Sequence, residues 1–431
     1  MSEKHTNIIW HCIGNSVIGS SHIRNGLPNQ DALRISRPDH SEFSLPLILA
    51  VSDGHGSAKS FRSHIGSQKA VQAAVDIITE NIVEGKFTPD GQQNPNLATI
   101  KDFACNNLPQ RIVKRWQHLV GEHLENNKIT EEEWECLNNR GGEKNLEFIT
   151  GILNQKYQEK NPQSNYNFSI IYGATLLSVI VTDSFLVYLQ IGDGDIICLD
   201  STGYIRRPLA KDKRLIANET TSLCMNKAWE QFQVNLEAYS DSFLNKIPSL
   251  ILLATDGYSN SFSSEEGFQK VAKDYRDLIH KNGINYIEKQ LELFLSQTSA
   301  QGSGDDITIG IIKRLEEGDL DFQNIKINQN SQEVEVLKKH MNIHQDQFQQ
   351  VNEKFKKIEV QDIPKIRKNI NMTKKYAFVA CFLGGLSLLI SMSTIFFLVY
   401  FTINQNKKNQ QFVEYQTRIE NLETKLNEKE K

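Results

Sequence analysis

Cysteine is scarce in this chain of 431 residues: six thiols, Cys12, Cys105, Cys136, Cys198, Cys224 and Cys381, with no C-x-x-C pair and no Cys/His cluster at zinc spacing. That excludes a disulfide framework and a structural zinc site. An excess of one charge is lacking too, since 48 Lys+Arg stand against 52 Asp+Glu for a net charge of −4. A nucleic-acid binder working through a strong basic field is therefore excluded. No G-x-x-x-x-G-K-[ST] loop is present, so an ATP-driven role has no support. MSEKHTNIIWHC carries no charged leader followed by an apolar core, and nothing there is expected to send this end across a membrane. What is present is apolar sequence recurring from end to end, 39% hydrophobic overall, which excludes disorder over the whole length. The length suits about two average domains.

One apolar run differs from all the others. Tyr376–Ile403 is free of charge for 28 residues, and a helix needs roughly 20 to cross the hydrocarbon core. Tyr376 and Tyr400 sit near its ends, where interfacial aromatics are expected. Lys365, Arg367, Lys368, Lys374 and Lys375 precede it, whereas only Lys407 and Lys408 are comparably close behind. The bias predicts a single span with the N-terminal domain in the cytoplasm and a short tail outside. Before the span, Leu337, Met341, His344, Phe348, Val351, Phe355 and Ile358 form a heptad seam; after it, Phe412, Tyr415, Ile419, Leu422 and Leu426 repeat the pattern. Two readings stay open: homodimerisation through coiled coils, or single amphipathic helices lying on their own domain or on the membrane surface.

The expected organisation is a catalytic or binding domain over 1–318, a polar linker over 319–332, a coiled-coil-like helix over 333–362, a basic juxtamembrane segment over 363–375, the transmembrane helix over 376–403 and a coiled-coil-like tail over 404–431. Within the first domain the apolar runs are short and β-branched. LPLILAVSDGHGS reads as a buried strand entering a tight turn, followed by a helix on which Ile65, Ala70, Val71, Ala74, Val75 and Ile78 recur at helical spacing. Residues 169–200 read as consecutive strands with connections short enough for antiparallel pairing, SLILLATDG as a further strand, and DDITIGIIK as the last. Residues from about 100 to 165 are polar and partly helical with a GG break, and they suggest no chemistry.

Aspartates recur where these strands end. Asp31, Asp53, Asp193, Asp256 and Asp305 each lie beside a glycine, a turn or a strand edge. If the strands share one sandwich, the carboxylates can converge, and they would repel unless divalent cations neutralised them. Hard oxygen donors without Cys suit Mg²⁺ or Mn²⁺. Each aspartate taken singly is better explained as a turn residue.

In combination, GNSVIGSSHIRNGLPNQDA, AVSDGHGS, YGATLLSVIV, IGDGD, LLATDG and GDDITIGII, in that order over residues 9 to 314, resemble the metal-dependent protein serine/threonine phosphatases of the PP2C (PPM) type. The resemblance implies an α+β fold: a central antiparallel β-sandwich flanked by helices, here followed by a coiled-coil-like helix and a single transmembrane helix. It implies two Mn²⁺ or Mg²⁺ ions at one end of the sandwich, with room for a third. Asp53 resembles the carboxylate bridging the two metals, with the Gly54 carbonyl on one of them. Asp256 and Asp305 match further ligands, Asp193 the position that helps hold a third ion, and Asp31 the acid that holds metal-bound waters. His55 resembles the residue that protonates the leaving alkoxide. The family's phosphate-binding arginine has no counterpart at Gly26; Arg24 is the first candidate and His22 the second. Gln30 stands where Glu is common and Asp306 where Asn is common.

The expected function is hydrolysis of phosphoserine and phosphothreonine in cytoplasmic proteins by a membrane-anchored enzyme using a metal-activated water. A weak or inactive phosphoprotein-binding module and a membrane scaffold are the alternatives.

Overall fold

Strand β3 (Leu47–Ser52) is LILAVS, six buried residues with no polar alternation. Such a strand needs cover on both faces, and the computed structural model shows where the cover comes from. It describes residues 8–37, 43–83, 96–158, 167–211, 220–239 and 247–316, with Asp319, Asp321 and four positions between 339 and 356. Leu47, Leu49 and Val51 meet Ile251, Leu253 and Ile312 in the apolar layer between two sheets. Ile48 and Ala50 face the opposite way, into a cluster with Ala70, Ala74, Ile78, Ile112 and Trp116 from the helices.

One sheet runs β2 (Ala32–Ser36), β3, β4 (Leu176–Val181), β5 (Phe185–Ile191) and β8 (Gln233–Ala238); the other runs β1 (Trp10–Val17), β10 (Ile307–Arg314), β9 (Leu250–Ala254), β6 (Asp195–Leu199) and β7 (Ile205–Arg206). Every strand pair is antiparallel. The first sheet is covered by α2 (Ser63–Ile78) and α4 (Leu108–Asn126), which bring Ala70, Ala74, Ile112 and Trp116 against it. The second is covered by α7 (Glu265–Asn282) and α8 (Ile284–Gln301), whose Phe268, Ile279, Leu291 and Leu295 pack on Ile13, Leu252, Ile309 and Ile311. The expected α+β sandwich flanked by helices is therefore present.

The expectation of consecutive pairing over residues 169–200 holds only in part. β4 pairs β5, but β6 leaves for the other sheet and pairs β9. Asp193 accordingly sits in an inter-sheet crossing, not a hairpin turn. Gly192 begins the crossing at φ 111, a conformation costly for any side chain.

Residues 96–158 form α3 (Leu97–Asn106), α4 and α5 (Glu131–Gln158), and α5 is broken at Gly142, with φ 67 and ψ 176. The GG pair thus marks a real kink.

The first compact unit runs to Phe322. Asp319 belongs to it, accepting from the buried Lys313 Nζ at 2.7 Å and lying 3.0 Å from His280 Nδ1. Asp321 accepts the first amide of α8, Ile284 N–H, at 2.6 Å. The second unit is Gln323–Lys431, of which Lys339, Gln349, Glu353 and Lys356 are helical and exposed. The heptad positions on both sides and the span expected over 376–403 lie outside the described residues. Among the described residues no helix is long and apolar enough to cross a membrane.

Candidate active site

Four strand ends deliver the carboxylates. Asp53 follows β3, where the chain stays extended against residues 173–175: its N–H donates to Thr175 Oγ1 at 3.0 Å and its carbonyl accepts Thr175 N–H at 2.8 Å. Gly54 bridges Ala174 and His55 N–H donates to the Gly173 carbonyl. A Cβ on Gly54 would come within 2.5 Å of the Gln30 carbonyl oxygen and 2.8 Å of that of Ser63, so only glycine fits this crossing of three backbones. Asp256 follows β9 and opens the short helix α6 (Asp256–Ser259). Asp193 lies in the crossing from β5 to β6. Asp31 precedes β2 and accepts from the Thr255 hydroxyl at 2.8 Å.

The outcome is a three-carboxylate cluster in which ligand atoms of Asp53, Asp193 and Asp256 all lie within 4.8 Å of one another. Among the described residues no lysine or arginine pairs with any of them or with Asp31. Burial raises the Asp53 pKa well above the ordinary carboxylate value, helped by Asp31, Asp256 and Asp193. Burial also raises Asp256, and it pushes Asp31 to about 8 with Asp306 adding to the effect. Ligand oxygens of Asp53 and Asp256 lie within 4.8 Å of each other, which two ionised carboxylates tolerate only with a proton or a cation between them. Converging, half-buried, oxygen-only donors with no basic side chain among them fit a divalent cation of the Mg²⁺ or Mn²⁺ kind.

Asp305 falls in a second group, with His22 and Asp306. His22 Nε2 lies 3.5 Å from Asp305 and Nδ1 lies 2.9 Å from Asp306, the latter off the line of a directed hydrogen bond. The contact with Asp306 raises the His22 pKa, against burial. His22 therefore faces carboxylates, which makes it a poor second candidate for phosphate. Asp306, which stands where Asn is common, is a hub. Its Oδ1 accepts Gly19 N–H and its Oδ2 accepts Gln30 N–H, both at 2.6 Å. It thereby fixes the segment carrying His22 and Asp31 to the start of β10.

Arg24, the first candidate for phosphate, sits exposed on α1 (Ser20–Asn25) and makes no hydrogen bond or ion pair with the carboxylates. His55 lies where it was expected, beside Asp53. Burial lowers its pKa while Asp193 opposes the shift, so the ring is neutral at pH 7. It would have to gain a proton before giving one to a leaving group, and an arriving phosphoryl dianion favours that gain.

No C-x₅-R loop of the thiol phosphatases is expected, yet Cys105 and Arg111 stand at that spacing. They lie on two successive helices, α3 and α4. Burial raises the Cys105 pKa, and the Arg111 guanidinium is bonded to Asn81 and lies over Phe103. No phosphate-cradling loop results, so the chemistry rests on the carboxylates.

Solved structures similar to this chain include a bacterial serine phosphatase, at 12% identity and TM-score 0.40 over 71% of this chain and 98% of that one. Others are the Mycobacterium tuberculosis serine/threonine phosphatase PstP, at 14% and 0.38 over 72% and 100%, and the serine/threonine phosphatase Stp1 of Staphylococcus aureus, at 13% and 0.40 over 73% and 100%. The catalytic domain of PstP has been solved in complex with two manganese ions. No curated protein matches the chain. Residues 18–296 match the family model for protein phosphatase 2C; with more than half of its length matched, the chain belongs to that family and is a protein serine/threonine phosphatase.

Proposed function

We propose that the protein is a membrane-anchored phosphatase that hydrolyses phosphoserine and phosphothreonine of cytoplasmic proteins with two Mn²⁺ or Mg²⁺ ions at Asp53, Asp193 and Asp256. The observation that supports this most is the meeting of three carboxylates with no basic side chain among them. Bound there, divalent cations would neutralise phosphoryl oxygens and lower the pKa of water. Asp53 and Asp256 would hold them jointly, with the Gly54 carbonyl adjacent. Asp31, oriented by Thr255, would accept hydrogen bonds from waters on the inner side. Asp305 would join from the second group, next to Asp306 and His22. His55, against Gly173, would exchange the proton of the departing serine or threonine oxygen.

Anchoring rests on the uncharged stretch 376–403 and the basic residues before it, which would keep the phosphatase unit on the cytoplasmic side. The heptads beside the span would pair with a second copy or lie on the bilayer surface, and cross-linking of the full chain distinguishes the two.

The test is hydrolysis of a phosphothreonine peptide by the full chain with and without Mn²⁺, beside Asp53→Asn. Metal-dependent release that falls at least ~10³-fold in the variant is expected. Release unaffected by chelation or by the substitution would end the proposal. Extraction of the protein from membranes by alkali alone would end the anchoring part of it.

A further inference from the structure

The helical insert brings a guanidinium to the turn that carries Asp53 and His55. Its base is fixed by Arg62, which is 3% exposed. Arg62 donates to both carboxylate oxygens of Glu133 at 2.6 and 2.7 Å, to the carbonyls of Asn127 and Lys128, and to the Tyr172 hydroxyl. That sets the start of α5. About two helical turns on, the break at Gly142 ends its first half. There Gly141 runs so near the post-β3 loop that a Cβ would come within 3.0 Å of Ala58 Cβ. At this contact Arg140 Nη2 donates to the Gly56 carbonyl at 2.9 Å. The second half of α5 is held on the same loop by Phe148, whose ring lies 4.9 Å from Lys59 Nζ.

Arg140 is exposed, has no ion-pair partner among the described residues, and uses one donor on a neutral carbonyl. A guanidinium with most of its donors unused, held next to the D-G-H-G turn by a buried anchor, is suited to catch a phosphoryl dianion in bidentate fashion. Lys59 is engaged with Phe148, and Arg24 makes no contact with the carboxylates. We propose that Arg140, supplied by the insert and not by the N-terminal segment, contacts the phosphoryl group of the phosphoprotein substrate. The inference rests on the phosphatase reading above.

The experiment uses the full chain with Mn²⁺ and compares wild type, Arg140→Ala, Arg140→Lys and Arg24→Ala. Three ligands are used: p-nitrophenyl phosphate, a phosphothreonine peptide, and inorganic phosphate as inhibitor. Arg140→Ala should raise KM for both substrates and Ki for phosphate about tenfold, with kcat within about threefold, and Arg140→Lys should recover part of the loss. Arg140 is exposed, so an unchanged melting temperature accompanies the effect. A rise for the peptide alone, no rise for any ligand, or a rise from Arg24→Ala with Arg140→Ala silent overturns the assignment. Should wild type hydrolyse neither substrate, the phosphatase reading fails separately. Anisotropy of a labelled phosphothreonine peptide then decides Arg140: about tenfold weaker binding to Arg140→Ala supports it, equal binding overturns it.

Discussion

Arg62 and Asp53 lie nine residues apart on either side of one loop, and their surroundings are opposite. The Arg62 guanidinium has a matched partner at every turn, two carboxylate oxygens, two carbonyls and a hydroxyl. Burial lowers its pKa, but the hydrogen bonds it donates to Glu133 and Tyr172 outweigh that and raise it overall. Asp53 is surrounded by Asp193 and Asp256 and carries a raised pKa because its charge is buried among like charges. The first arrangement is complete within the chain; the second becomes complete only with a ligand of opposite sign. A fold held together by one buried charge and strained by another identifies which of the two serves function.

Breaking the completed side should have the largest effect on stability. Arg62→Ala removes the ion-pair partner of Glu133 and the donor to two carbonyls and detaches the base of α5, so denaturant unfolding should show a loss of about 3–5 kcal/mol. The strained side should show itself next, in pH dependence without metal. Asp31 titrates near 8 in the folded protein against 3.8 unfolded, so between those values the folded state keeps a proton that the unfolded chain has released. Stability from this group, and from Asp53 and Asp256 with their raised values, therefore falls as pH rises through that window. A decline of roughly 3–4 kcal/mol from pH 5 to pH 8 is expected in chelator, and saturating Mn²⁺ should flatten it. A stability that rises with pH in chelator would contradict this.

Much of the sandwich and most of the carboxylate set were legible in the sequence. Strand ends carrying D-G turns are local signals, and the uninterrupted apolar run of β3 states that both of its faces are covered. The fate of β6 was not legible, because a short connection permits either pairing or crossing and the choice depends on which sheet offers an edge. Asp306 was underrated for a related reason: its partners, Gly19 and Gln30, are nearly the whole unit away in sequence. Arg140 gave no signal at all. It lies in a polar insert whose position over Gly56 is decided by a long-range ion pair, Arg62 with Glu133, and by a kink whose direction a GG pair does not state.

The most direct measurement of whether the Asp53 side awaits a cation is thermal unfolding of the full chain and of Asp53→Asn at pH 7, in chelator and again in saturating Mn²⁺. Without metal the variant should melt higher, since one buried like charge is gone, a gain of about 1 kcal/mol. With metal the order should reverse, because ion binding at about a hundred times Kd adds roughly 2.7 kcal/mol to the wild type alone. Equal Mn²⁺ shifts in both proteins, or none in wild type, would contradict a metal centre at Asp53.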